Sequence, residues 1–305
     1  HSSPKGIVNS SRLYVAFAYV GCCLIWGSTW MMIKIGLRGA PPLTSIAVRM
    51  TLASAVVGVI LAVARIRVPR EARFVRLGIF VGIFQVILPY TFVYYGEQRI
   101  PSGLAAVLYA TFPLLVAVLA RFWLATPLTA RKLTGVAIGI VGVAVIFSDN
   151  LRLGYRHATG VAMVMGSVAA SAIGSTSSTP SASPTLATKK WGHGYHTIAS
   201  LLIPFVTSAL VMSVLALAVE SPVQLGFDRT TWATIFYLAV VGSVGAFACF
   251  FYVMQRLDVT VVSYQTFIIP IVAVLLGGAF LGESVSARVG LGAAFILTGI
   301  LLATL

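Results

Sequence analysis

The feature that most constrains this chain is a succession of apolar runs, each about as long as a membrane is thick. A hydrocarbon layer ~30 Å deep is crossed by roughly 20 apolar residues in helical form. Ten runs meet that description, at approximately 13–36, 42–64, 74–95, 102–123, 133–147, 160–179, 195–219, 232–252, 259–281 and 288–305. The connections are short and leave no room for an extramembrane domain. Composition agrees, since 59% of the 305 residues are hydrophobic and 9% charged, against roughly a quarter charged in a soluble globular chain. The expected fold is an all-α integral membrane protein with ten transmembrane helices, its partner the lipid bilayer. A soluble enzyme of this size is excluded.

Charge sharpens that expectation. A formal net charge of +14 would suggest nucleic acid as a partner in a soluble protein. Here basic residues fall between the spans, as positive-inside loops require. Alternating the loops across a membrane puts 13 Lys and Arg on the side of the N-terminus, five of them (Arg65, Arg67, Arg70, Arg73, Arg76) between spans two and three. Seven fall on the other side, and Arg49 is left inside span two. Both termini are therefore expected in the cytoplasm, and nucleic acid is not an expected partner. The chain begins HSSPKG with no signal-peptide pattern before the first span, and residues 1–10 are set aside.

A repeat organises the spans. At a constant offset of 157, residues 77–146 lie on 234–303 without a gap. Tyr95 falls on Tyr252, Gln98 on Gln255, Arg99 on Arg256, Pro113 on Pro270, Gly135 on Gly292 and Gly142 on Gly299. Apolar composition alone does not align Tyr, Gln, Arg and Pro. A unit of five spans is odd, so the second copy enters the membrane from the opposite side. The expected units are residues 1–157 and 158–305, two inverted five-helix repeats. Such a pair can expose a site at its interface first to one side and then to the other, which suits a transporter. A Ser/Thr/Pro tract at 175–184 breaks the pattern after span six. It reads either as a loop or as a kinked continuation lining a polar cavity.

Few residues could carry chemistry. Cys22, Cys23 and Cys249 lie inside apolar runs without zinc or disulfide spacing, and His193 with His196 reads as a solvated span entrance. No cofactor, metal or catalytic constellation is expected. Ionisable residues inside a membrane are functional suspects because burying their charge is costly. Arg49 lies seven residues past Pro42, about 10 Å into span two. It reads as an anchor for a substrate carboxylate, as a partner of Glu97, or as a snorkelling tie between helices. Lys34 and Glu97 belong to the same membrane surface and could form a gate of ion pairs.

Aromatic residues supply the rest of the candidate site. Trp26, Trp30 and Lys34 are four apart and share a helical face, where rings could hold the body of a zwitterion and the cation its carboxylate. Trp30 and Lys34 fit equally well as interfacial anchors. Gln85, Tyr90 and Tyr94 come from span three, Tyr109 and Phe112 from span four, Ser171 from span six, and Tyr264 with Phe267 from span nine. Pro89, Pro113 and Pro270 are candidate hinges, because proline removes a backbone donor inside a helix.

Together, Trp26-Gly27-Ser28-Thr29-Trp30 with Lys34, Pro42 with Arg49, Tyr94-Tyr95 before Pro101-Ser102-Gly103, the Pro113 and Pro270 pair, and Leu281-Gly282-Glu283 before Gly292 carry a resemblance. The chain resembles the EamA-type exporters of the drug/metabolite transporter superfamily. It departs from their pattern at Thr126, where the second repeat has Glu283, and in the tract after span six. The resemblance implies ten helices, an inner-membrane location, no enzymatic activity and export of amino acids, aromatic ones included, or related metabolites. A secondary transporter of small amphipathic metabolites, expected as a monomer, is the leading reading. A phosphate-ester or nucleotide-sugar exchanger would call for several deep Lys or Arg residues to meet phosphate. A membrane partner protein without a transport cycle is the other alternative.

Overall fold

The computed structural model describes residues 5–123, 129–152, 154–177, 196–220, 226–257 and 259–304. Every regular element among them is a helix. They group as α1 (Lys5–Gly36), α2 (Pro42–Val63), α3 (Ala72–Glu97), α4 (Ser102–Tyr109 continuing as Phe112–Trp123) and α5 (Ala130–Arg152) in the first repeat. The second repeat has α6 (Tyr155–Ser177), α7 (Thr197–Val219), α8 (Arg229–Met254), α9 (Val259–Ser263 continuing as Gln265–Leu281) and α10 (Ala287–Thr304). Among the described residues nine helices are long and apolar enough to span a membrane, and the apolar stretch Ala287–Ala303 is a shorter tenth. Helix α5 runs beyond its apolar run at both ends, because polar residues such as Arg131 and Asp149 continue the helix past the hydrocarbon. Helix α6 is unbroken through Ser177, and residues 178–184 of the Ser/Thr/Pro tract, like His193, lie outside the described residues.

These helices are apolar on all sides because protein covers one face and lipid the other. On α7, Phe205, Ala209, Met212 and Ala216 are buried, while Leu210, Val214 and Leu217, spaced four and three apart, are about two-thirds exposed. The repeats interlock. Helix α1 packs on α8 and α9 of the second repeat, and its counterpart α6 packs on α3 and α4 of the first. The mates α2 and α7, α4 and α9, and α5 and α10 also pair.

The α5–α10 pair shows the inverted symmetry residue by residue. A Cβ on Gly142 would lie 2.6 Å from the Gly292 carbonyl oxygen, and one on Gly292 would lie 2.8 Å from the Gly142 oxygen. Gly135 and Gly299 meet through their carbonyls in the same way. Under the 157-residue offset Gly135 becomes Gly292 and Gly142 becomes Gly299, so each contact maps onto the other and the pseudo-two-fold axis passes through this crossing. With lipid as apolar as leucine, close backbone approach of this kind is what holds membrane helices together.

A second symmetric feature shapes the interior. Helix α3 widens to i→i+5 hydrogen bonding at Gly82–Ile87, and α8 does so at Leu238–Gly245. The offset places the first stretch inside the second. Pro89 follows the wide turn of α3, and its missing N–H and bulky ring displace the preceding carbonyls. Such turns recur at functional sites because they turn side chains out of the regular helical register.

Candidate functional site

The wide turn of α8 and the stretch of α3 that follows its own wide turn meet at Arg49. This residue is 3% exposed, on the face of α2 turned to α3 and α8. Its Nε and Nη2 donate to Ser243 Oγ at 3.2 and 3.1 Å, its Nη1 to the Tyr94 hydroxyl at 3.2 Å, and its Nη2 to the Tyr90 hydroxyl at 3.4 Å. The guanidinium carbon also stands 4.5 Å from the centroid of the Tyr90 ring. Ser243 reaches inward because the wide turn of α8 rotates it there, its hydroxyl also donating to the Leu238 carbonyl at 3.0 Å. Among the described residues no carboxylate pairs with Arg49, and the ion pair with Glu97 is not formed. A guanidinium held by hydroxyls and a ring keeps its full charge, and a transferable anion would complete it.

A second thread runs from α1 to α3. Trp30, 8% exposed, packs on Tyr109 at 5.5 Å, and Phe112 stacks on the same ring at 6.2 Å. The Tyr109 hydroxyl shares a hydrogen bond of 2.9 Å with Ser171 Oγ. Gln85, in the wide turn of α3, donates from Nε2 to the Ser171 carbonyl at 3.1 Å and to Ser175 Oγ at 3.0 Å. Tyr90 stacks on Tyr94 at 6.5 Å, and Tyr90 and Tyr109 pack against the same apolar cluster, which includes Trp30 and Tyr94. Thus Trp30, Arg49, Gln85, Tyr90, Tyr94, Tyr109, Phe112 and Ser171 form one contiguous group. Trp26 lies half-buried against Phe247 and Phe250 of α8, at 5.6 and 5.1 Å. Tyr264 and Phe267 line a lateral cavity of about 390 Å³ with Leu297, Thr298 and Leu301 of α10. Phe267 also packs against the apolar cluster that holds Trp30 and Tyr94.

At one end of the bundle two glutamates staple the repeats together. Glu283 accepts from Ser102 N at 2.8 Å, Ser102 Oγ at 2.9 Å and Gly103 N at 3.1 Å, capping the N-terminus of α4. Gly282, in the left-handed region at φ 65°, turns the chain so that Glu283 folds back over α9. Gly277 leaves the space, since a Cβ there would stand 2.5 Å from the Glu283 carboxylate. Glu220 caps α2 likewise, accepting from Leu43 N at 2.9 Å and from Thr44 N and Oγ1 at 2.8 Å. Lys34 is at the same end. Its ammonium donates to the Ile100 carbonyl at 2.8 Å and to the backbone carbonyl of Glu97, in place of the expected ion pair. Glu97 itself is fully buried, and neither carboxyl oxygen has a hydrogen-bond partner among the described residues.

The candidate hinges differ in setting. Pro89 borders the wide turn of α3, Pro113 follows the break in α4 at Ala110 and Thr111, and Pro270 sits inside Gln265–Leu281, past the break at Tyr264. A further proline, Pro204 of α7, packs its carbonyl on Gly82, and Ser208 Oγ donates to that carbonyl at 2.7 Å. Sequence reasoning passed over Pro204, Ser243 and Glu220. The available signals were a hydroxyl in the glycine-rich Gly242-Ser243-Val244-Gly245 stretch and an acid directly after span seven, as Glu283 follows span nine.

Comparison with known proteins agrees with this architecture. Residues 13–148 and 158–305 each match the EamA-like transporter family. An "uncharacterized inner membrane transporter YedA" of Escherichia coli K12 is 26% identical over 92% of this chain and 88% of its own. A "probable amino-acid metabolite efflux pump" of the same strain is 24% identical over 91% and 90%, and an "uncharacterized transporter" of Archaeoglobus fulgidus is 27% identical over 90% and 93%. A crystal structure only 17% identical in sequence shares the fold, with a TM-score of 0.64 over 95% of this chain and 96% of its own. With two halves that each match the family and ten apolar helices in inverted repeats, the chain is a multi-pass membrane protein that belongs to the EamA-like transporter family of the drug/metabolite transporter superfamily.

Proposed function

We propose that this transporter exports small amphipathic metabolites, amino acids above all, across the inner membrane by alternating access between its two repeats, with both termini in the cytoplasm. The observation that carries this reading is Arg49, a buried cation whose partners are three hydroxyls and a tyrosine ring rather than a carboxylate. A lone arginine at a helix centre costs about 2.5–3.5 kcal/mol on insertion scales. A substrate carboxylate would offset that cost while bound and restore it on release, so binding stays reversible. The neighbouring Trp30, Tyr109 and Phe112 offer an apolar wall for the side chain. The probable efflux pump among the relatives is named for amino-acid metabolites, which supports the same class.

One deep arginine suits a single carboxylate better than a phosphate ester, which draws several bases. Counterflow in proteoliposomes tests the reading. Vesicles preloaded with unlabelled amino acid should accumulate the labelled one, and a phosphorylated sugar should not exchange. Counterflow of phosphate esters alone, or of neither class in folded protein, would overturn it.

A further inference from the structure

Glu97 is the acid that the transport reading leaves unused. It ends α3 on the face that carries Tyr90 and Tyr94, seven and three residues before it. Its side chain is completely buried, and both carboxyl oxygens lack a hydrogen-bond partner among the described residues. The charged groups near it are Lys34 of α1 and Glu283 of the turn after α9, and Arg38 and Arg156 are the other cations near Lys34. Helices α2 and α7 bring Arg49 and Glu220, whose polar atoms are already bonded to hydroxyls and backbone. The first turns of α4, through Leu108, hold no titratable side chain.

The bonding pattern decides the charge of this cluster. Lys34 spends its ammonium on the backbone carbonyls of Glu97 and Ile100. Glu283 is satisfied as a carboxylate by three donors of the α4 N-terminus. An ionised Glu97 would be an unsolvated charge facing no donor, the most costly state a buried carboxyl can take.

We propose that Glu97 is a proton-binding site that latches the Lys34 end of the transporter, holding a proton while that end is closed and losing it when that end opens. On opening, the O–H bond of the carboxyl breaks, its electron pair stays on the carboxylate, and water takes the proton as hydronium. The new carboxylate draws on water and on the Lys34 ammonium, which is freed when the Ile100 carbonyl moves away. Acid on the Lys34 side thus favours the closed state, and export becomes sensitive to the pH of one compartment. The latch rests on alternating access in the proposed function but not on the identity of the substrate.

The test places a cysteine at Ile100, which is 1% exposed and beside Lys34, in protein whose native cysteines are replaced by alanine. Its labelling by a soluble maleimide in nanodiscs is measured against pH and normalised to a cysteine at the exposed Arg38. With Glu97 present, normalised labelling should rise with pH, by up to about tenfold per unit as one linked proton requires. With E97Q, a neutral isostere, it should stay low and flat, and E97D should restore a slope. The same slope in E97Q would overturn the latch. Infrared spectra of the unsubstituted protein give a second measurement, because a protonated carboxyl band should disappear over the same pH range, and its absence throughout would also overturn the proposal. If no amino acid exchanges while the labelling behaves as expected, the substrate reading fails and the latch stands.

Discussion

Arg49 Nη2 lies 3.1 Å from Ser243 Oγ, joining the second helix of one repeat to the wide turn of the eighth helix in the other. Both residues are buried, and the bond crosses the interface between the two repeats. Removing the guanidinium should therefore weaken substrate binding more than folding. For Arg49→Ala, loss of a charge-assisted hydrogen bond of about 1.5–3 kcal/mol corresponds to a rise of roughly 10- to 100-fold in the half-saturating concentration for counterflow. Arg49→Lys, which cannot reach Ser243 and Tyr94 together, should recover only part of it. Concentration-dependent exchange in proteoliposomes measures both.

Gln85 is held by Ser171 and Ser175 of α6, and Trp26 by two phenylalanines of α8. Gln85→Ala and Trp26→Ala should each lower flux without reducing the amount of folded protein. Gln85→Ala and Ser175→Ala should be non-additive, with a coupling of about 1 kcal/mol, because each removes one end of the same bond. Flux normalised to protein recovered in the membrane, for the two single variants and the double, reads this out.

The Glu283 cap makes a stability prediction. Replacing its carboxylate by alanine leaves the N–H groups of Ser102 and Gly103 without their acceptor at a buried helix start, at a cost of about 1–3 kcal/mol. Gly277→Ala should cost a similar amount, because the new methyl displaces the same carboxylate. Combining the two should add little to either. Thermal unfolding in detergent distinguishes additive from shared loss.

Glycine substitutions separate packing from helix propensity. Gly142→Ala forces a methyl against the Gly292 carbonyl and should destabilise by about 1–3 kcal/mol, as overpacking does. Gly58→Ala, inside α2 with nothing within 4 Å of the added carbon, should stabilise by about 0.4–1 kcal/mol. Melting temperatures of the two variants should therefore shift in opposite directions.

Asp228, outside the spans, caps α8 by accepting from Thr231 N at 2.9 Å, and the hydrogen bonds from Thr231 hold its carboxyl below the usual carboxylate value. A depressed folded value means that its stabilisation is fully present above the unfolded value of about 4 and is lost as the pH falls through the lower folded one. The difference in melting temperature between the natural protein and Asp228→Ala should shrink across that acidic range. A difference that is constant with pH would exclude the ionised cap as its source.

Much of the fold was legible because hydrophobicity and repeat matching are properties of a single strand of text. The runs marked the spans, and Pro113 with Pro270 and Gly142 with Gly299 marked the repeat whose symmetry axis then appears at the α5–α10 crossing. Individual aromatic positions were legible for the same reason, as residues on a common helical face. Their company was not. Tyr264 and Tyr109 look equivalent in sequence, yet one faces a lateral cavity beside α10 and the other contacts the rings of Trp30 and Phe112. The widened turns had no periodic signature either, and they are what rotates Ser243 toward Arg49.

By itself, the sequence determined that this chain crosses a membrane in two inverted sets of five helices, because each span must be apolar along its own length and each repeat must resemble its mate. Only the tertiary structure decided which charges are paired. Among the described residues Arg49 meets hydroxyls, Glu220 and Glu283 meet helix N-termini, Lys34 meets carbonyls and the Glu97 carboxyl meets no donor. Those partners arrive from other helices and turns, many of them in the opposite repeat, and whether two groups lie 3 Å or 10 Å apart depends on how the helices pack, which no pattern along the chain records.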